Sequence, residues 1–135
     1  MKIHHVGYLT KNIHASEKAF LDLGYHIETP AMFDSFRKIN IVFMKNEDYR
    51  VELIEPIGPE SPIYSLLKKY KNTPYHFCYE VTDLEKTVEA LTEKGYLMTQ
   101  APLEAPCIQN RKVAFLVGEN VGIVELIEVG RRKES

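Results

Sequence analysis

Four side chains stand out for the chemistry they could share: His5, Glu52, His76 and Glu125. They form two copies of one pattern, an imidazole near the start of a stretch and a carboxylate near its end. His5-Val6-Gly7-Tyr8 opens a stretch that runs to Gly24-Tyr25, and His76-Phe77-Cys78-Tyr79 opens another that runs to Gly95-Tyr96. Both landmarks are offset by 71 positions (76 − 5 and 95 − 24). Val51-Glu52-Leu53-Ile54-Glu55 recurs unchanged as Val124-Glu125-Leu126-Ile127-Glu128 at an offset of 73, and Arg37-Lys38-Ile39 is echoed by Arg111-Lys112-Val113 at 74. Two modules that each give one neutral imidazole and one carboxylate can enclose a divalent ion such as Ni, Zn, Co, Mn or Fe. Four protein ligands leave room for a water or a substrate oxygen, which a catalytic metal needs and a sealed structural site lacks.

The elements that must position these groups follow from periodicity. Ile3, His5, Gly7 and Leu9 alternate with His4, Val6 and Tyr8, the period of a strand. Asn12 can cap a helix that carries Ile13, Ala19, Phe20 and Leu23 at helical spacing, and Gly24 supplies its stop. Strands are expected over 25–32, 37–45 and 49–55, with Asn46-Glu47-Asp48 as turn chemistry between the last two. The Pro/Gly-rich stretch from Pro56 to Pro62 marks a boundary, and a short helix is expected over 63–70. The order then repeats as a strand over 75–82, a helix over 84–94 capped by Asp83 and stopped by Gly95, and strands over 96–101, 111–118 and 122–129. The reading is an α+β chain with module one at 1–56, a linker and short helix at 57–73, module two at 74–129 and a tail at 130–135.

Alternation also decides which side chains share a face. His5 goes with Gly7, His76 with Cys78, and Glu52 with Ile54, while Val51, Leu53 and Glu55 take the other side. A glutamate between Val and Leu in a central strand is costly to bury unless it is paired or bound to a cation. Two such carboxylates brought together would repel. Tyr8, Tyr79, Phe43 and Phe115 are expected in the core or against the helices, and the duplicated Glu55 and Glu128 are given structural roles. Arg37, Arg111 and Lys112, from the duplicated basic pairs, are candidates to hold anionic groups of a substrate.

Composition narrows the classes. With 135 residues the chain makes one domain or two small modules, since halves of roughly 65–70 residues are marginal alone. A net charge of −2 offers no footprint for nucleic acid and no polybasic membrane patch. Met1-Lys2 leads straight into the first alternation, and no long apolar run follows, so neither a signal peptide nor a membrane span is expected. Cys78 and Cys107 form no disulfide framework, which fits a cytoplasmic setting.

The same residues resemble the vicinal-oxygen-chelate (glyoxalase/bleomycin resistance/dioxygenase) superfamily, from Lys2 to about Glu128. Ile3-His4-His5-Val6-Gly7, Val51 through Pro56, Ser61-Pro62-Ile63, His76-Phe77-Cys78 and Val124-Glu125-Leu126 are similar to small bacterial glyoxalase I-like and methylmalonyl-CoA epimerase-like proteins. The resemblance implies two βαβββ modules forming a curved mixed eight-stranded sheet around a metal cup, with His5, Glu52, His76 and Glu125 as ligands. It implies removal of a proton alpha to a carbonyl, with Glu125 as base and Glu52 as ligand and second proton carrier. The substrate would be a thiol adduct of the lactoylglutathione lyase type or, alternatively, an acyl-CoA; a homodimer is a further implication. The all-carboxylate ligand set favours the glyoxalase I-like reading. Two departures count against the epimerase: Asn40 stands where some epimerases carry a second glutamate base, and Ala105 through Asn110 replaces a Gly-rich loop. A non-catalytic drug-sequestering module is the further alternative, disfavoured because all four ligand positions are filled.

Overall fold

Along the chain, strand and helix periods alternate as β1 (Lys2–Leu9), α1 (Ile13–Asp22), β2 (His26–Asp34), β3 (Ile39–Asn46), β4 (Tyr49–Pro56), α2 (Tyr64–Tyr70), β5 (Thr73–Val81), α3 (Leu84–Glu93), β6 (Leu97–Ala105), β7 (Arg111–Gly118) and β8 (Gly122–Glu128). The computed structural model describes residues 1–130, and the basic run Arg131-Arg132-Lys133 expected in the tail lies outside them.

The repeat is written into the helix ends. The Asn12 side chain accepts a hydrogen bond from the Ala15 N–H at 3.0 Å, and Asp83 accepts from the Lys86 N–H at 3.1 Å, so both helices begin with the same cap. Both also stop alike. Gly24 N–H donates to Leu21 O at 3.0 Å and Tyr25 N–H to Phe20 O at 3.0 Å, the pairing of a Schellman motif. Gly95 N–H to Thr92 O and Tyr96 N–H to Leu91 O repeat it at 3.0 and 3.1 Å. These turns need φ of +96° at Gly24 and +100° at Gly95, which side chains with a Cβ resist. The Tyr25 ring then packs edge-on against Phe20, with centroids 5.1 Å apart.

Two compact units carry the modules: His5–Tyr75, and Met1–His4 together with His76 onward. In the first, the strands neighbour one another in the order β2-β3-β4-β1, antiparallel except for the parallel pair β4 and β1. In the second the order is β5-β8-β7-β6, again with one parallel pair, β5 and β8. Each module is thus βαβββ with a mixed sheet, giving eight strands among the described residues. One face of each sheet packs on its helix. Ile13 of α1 meets Val42, Met44, Val51 and Leu53, with Tyr8, Phe20 and Tyr25 at the margin. Leu84 of α3 meets Val81, Ala114, Leu116, Val124 and Leu126, with Tyr79, Val88, Leu91 and Tyr96 around them. Burying each of the Val, Leu, Ile and Met side chains of these clusters contributes about 1.5–3 kcal/mol.

One strand is longer than its pattern suggests. The sequence reading ends the sixth strand near residue 101, yet β6 continues to Ala105 through Pro102 and closes in a 3₁₀ turn at Pro106–Ile108. A proline is tolerated there because β6 is an end strand of its unit, where the missing N–H breaks no inner ladder bond. After the turn, Gln109 and Asn110 hold φ of +57° and +58°, a backbone that glycines often supply, so this loop reaches left-handed geometry without them.

Replacing Gly24 or Gly95 with alanine should lower stability by about 1–2 kcal/mol each, because an L side chain strains that backbone. Urea unfolding measures this, and an unchanged midpoint would show that the helix stop does not require glycine.

Candidate metal centre

Glu52 reaches its position by alternation. Val51 and Leu53 are held in the core on α1, which turns Glu52 to the opposite face of β4. There it is 4% exposed and lies opposite Gly7 of β1 and Phe43 of β3. His5, 1% exposed, sits on the same face of β1, two residues before Gly7, with its Nε2 3.5 Å from Glu52 Oε1. The edge of the Phe43 ring packs against this imidazole, with centroids 5.3 Å apart at 77°.

The second unit builds the same arrangement. Val124 and Leu126 are buried against α3, so Glu125 faces away from the helix, opposite Cys78 of β5 and Phe115 of β7. His76 and Glu125 are each 3% exposed, and Nε2 lies 3.0 Å from Oε1. Phe115 packs edge-on to His76 at 5.5 Å and 83°. Phe43 and Phe115 were expected in the core or on the helices. Phe43 is buried as expected and Phe115 is half-buried, and both lie on the His–Glu face because each is paired in register with the glutamate. Tyr8 and Tyr79 do pack toward the helices as expected.

Each unit therefore carries a possible His/Glu metal half-site. All four residues are buried, and each offers an imidazole nitrogen or a carboxylate oxygen. Within each unit the His–Glu separation is near that of two donors on one ion. Two donors each ~2.1 Å from one ion stand about 3.0–3.4 Å apart for angles between octahedral and tetrahedral. The donor set, mixed imidazole and carboxylate, suits a divalent first-row ion.

The other candidates are placed as follows. Glu55 faces the helix, as alternation predicts, and its carboxylate accepts from the Ile13 N–H at 2.9 Å and from Asn40 Nδ2 at 3.0 Å. It anchors the first turn of α1, where a negative charge is favoured. Asn40 therefore lies on the helix side of β3, opposite Glu55 rather than Glu52. No side chain at that position reaches the face of Glu52, so its lacking a carboxylate says nothing about a base there. Arg37 is engaged by Asp34, Nη1 to Oδ2 at 2.8 Å, and Arg111 donates from Nε to Glu128 O at 2.8 Å with Nη2 3.8 Å from Glu80. Lys112 alternates onto the helix side of β7, where its Nζ is 3.7 Å from Glu85 of α3. Both of these side chains are at least half exposed, so the pair lies at the surface.

One polar group was missed by sequence reasoning. Gln100 of β6 is paired with Phe115, which is paired with Glu125, so the three share a face. Its Nε2 is buried and has no hydrogen-bond partner among the described residues. Such a group costs roughly 1–3 kcal/mol in an otherwise satisfied fold.

Comparison with known proteins places these features in context. The family model described as the Glyoxalase/Bleomycin resistance protein/Dioxygenase superfamily matches residues 4–115. A mitochondrial methylmalonyl-CoA epimerase from Dictyostelium discoideum is 30% identical over 92 residues, 67% of this chain and 55% of that protein. The matched stretch thus spans about half of the relative's length. Among solved structures, a hypothetical protein from Bacillus halodurans C-125 superposes with a TM-score of 0.86 at 22% identity, covering 99% of this chain and 98% of the other. Methylmalonyl-CoA epimerase from Mycobacterium tuberculosis gives 0.84 at 17% identity, covering 96% and 89%. At such identities the structures show a common fold. Among the described residues, no helix is long and apolar enough to cross a membrane.

The two duplicated glutamates of β4 should separate cleanly in stability measurements. Glu55→Leu removes the anchor of α1 and should cost about 1–3 kcal/mol. Glu52→Gln, made in metal-free protein at pH 8, should leave the unfolding midpoint unchanged or raised, since the amide removes a buried charge and can still meet His5. A large loss at Glu52 in metal-free protein would assign it a structural rather than a ligand role.

Proposed function

Because the chain belongs to the Glyoxalase/Bleomycin resistance protein/Dioxygenase superfamily, we propose that it is a divalent-metal enzyme that epimerises a 2-carboxyacyl-CoA of the methylmalonyl-CoA kind. The observation that carries this reading is the buried His–Glu couple repeated in both modules of a chain similar to methylmalonyl-CoA epimerases. The glyoxalase I expectation rested on the all-carboxylate ligand set and on two departures from the epimerase pattern, and the relatives favour the epimerase. Both departures that spoke against it lose weight. Asn40 lies on the wrong face to report on a base, and the loop at Gln109 and Asn110 adopts left-handed backbone without glycine.

In this reading His5, Glu52, His76 and Glu125 would together hold one divalent ion. That ion, when bound, supplies Lewis acidity to the substrate carbonyl oxygen and favours loss of the neighbouring proton. Glu125 takes that proton from one face of C2 and later gives it up to solvent, while Glu52 serves as ligand and relays a solvent proton to the opposite face. Phe43 and Phe115 fix the imidazoles by edge contacts and exclude water beside the carboxylates. Sharing also answers an electrostatic problem: two buried carboxylates on equivalent strands are tolerated together when a cation lies between them.

Sharing of the ion is tested by metal titration of the purified protein. One Zn, Ni or Co ion per chain is expected, and His5→Ala and His76→Ala should each weaken it at least about 10-fold. Two independent ions per chain would reject the shared centre. For the activity, the metal-loaded protein should exchange the C2 proton of methylmalonyl-CoA in deuterated water. Glu125→Gln should retain metal and lower that rate about 10²–10⁴-fold. Retained turnover in this variant would remove Glu125 as the base. Turnover of the glutathione–methylglyoxal hemithioacetal, with none of methylmalonyl-CoA, would restore the glyoxalase reading.

A further inference from the structure

We propose that Gln100 is a substrate-orienting residue whose amide N–H donates to a carboxylate oxygen of the acyl group. This deepens the functional reading above and rests on it for the identity of the substrate, though not for the contact itself.

Three observations within the second unit carry the inference. First, Gln100 lies on the face of Glu125, two strands away through Phe115. Adjacent strands are about 4.8 Å apart, so the two Cα atoms stand roughly 10 Å apart, within joint reach of a small acyl group lying over the Phe115 ring between them. Second, the register of β6 shifts on both sides of Gln100, between Met98 and Gln100 and again between Gln100 and Leu103. Irregularities of this kind re-aim a side chain, and they recur beside functional sites. Third, the amide nitrogen is buried with no protein acceptor among the described residues, so it is a donor left for something the protein itself does not supply.

The first unit sharpens the point. Its counterpart strand β2 has the same pair of register shifts around Thr29, which is paired with Phe43 as Gln100 is with Phe115. The duplication preserved the irregular geometry and changed the residue. Two modules with equivalent ligands cannot by themselves distinguish the ends of an unsymmetrical substrate. A long amide donor in one module and a short hydroxyl in the other can make that distinction, and a primary amide matches one carboxylate oxygen without adding a charge.

The probe is malonate, titrated calorimetrically into metal-loaded protein and followed by assay with methylmalonyl-CoA. Gln100→Leu should weaken malonate binding about tenfold, the order of one hydrogen bond to a charged acceptor. KM for methylmalonyl-CoA should rise by a similar factor, with metal stoichiometry unchanged and the thermal midpoint equal to or above wild type. Gln100→Glu should weaken binding further through like charge, and Gln100→Asn should recover part of it. Weakened malonate binding in the Leu variant of a protein that does not epimerise methylmalonyl-CoA would sustain the contact and reject only the functional reading. Wild-type malonate affinity in the Leu variant overturns the inference. So does failure of the wild type to bind malonate, or a lowered thermal midpoint that accounts for the loss.

Discussion

In each module the hydrophobic effect decides where a glutamate must go. Val51 and Leu53 are needed on the helix side of β4, and Val124 and Leu126 on that of β8, so the residue between them has one direction left. A slip of one position would press Glu52 or Glu125 into the aliphatic core and turn the leucines out, a loss that no local rearrangement could offset. Packing thus presents the carboxylate on the bare face of the sheet, and the parallel neighbour strand brings a histidine beside it. The aromatic ring on the antiparallel neighbour then closes the other side. The half-site is a by-product of core formation, which explains how it could be duplicated whole.

Much of this was legible in the residues. The caps, the glycine stops, both helices and the facing of Glu52 against Glu55 follow from local chemistry and strict alternation. The pairing of His5 with Glu52 and of His76 with Glu125 was legible only because the repeat doubled the signal. What was not legible depends on register between strands. Phe43 and Phe115 read as ordinary core aromatics until their cross-strand partners are known to be the glutamates. Asn40 was matched to a functional position by counting, and one place of parity moved it to the other face. Gln100 was out of reach altogether, because the register shifts around it suspend the two-residue rule by which faces are read.

The fold alone says little about substrate. Proteins at 17% and 22% identity share it over nearly the whole chain, and one scaffold serves many chemistries. The two modules do not match everywhere. Glu52 faces a glycine on its parallel neighbour while Glu125 faces Cys78. Arg37 is tied to an aspartate of its own hairpin, whereas Arg111 reaches Glu80 on a different strand. Each mismatch gives one half a size or charge that the other lacks.

The division of β1 has a consequence for assembly. Residues Met1–His4 cluster with the unit that resumes at His76, while the rest of that strand belongs to His5–Tyr75. Bringing those ends together across an unstructured intervening segment would cost about 4 kcal/mol in chain entropy. If the intervening segment has already condensed, most of that penalty has been met. Docking of Met1–His4 within the later unit is therefore easiest once residues 5–75 have folded. Lesions confined to the first half would then slow acquisition of structure in the second without touching any of its residues.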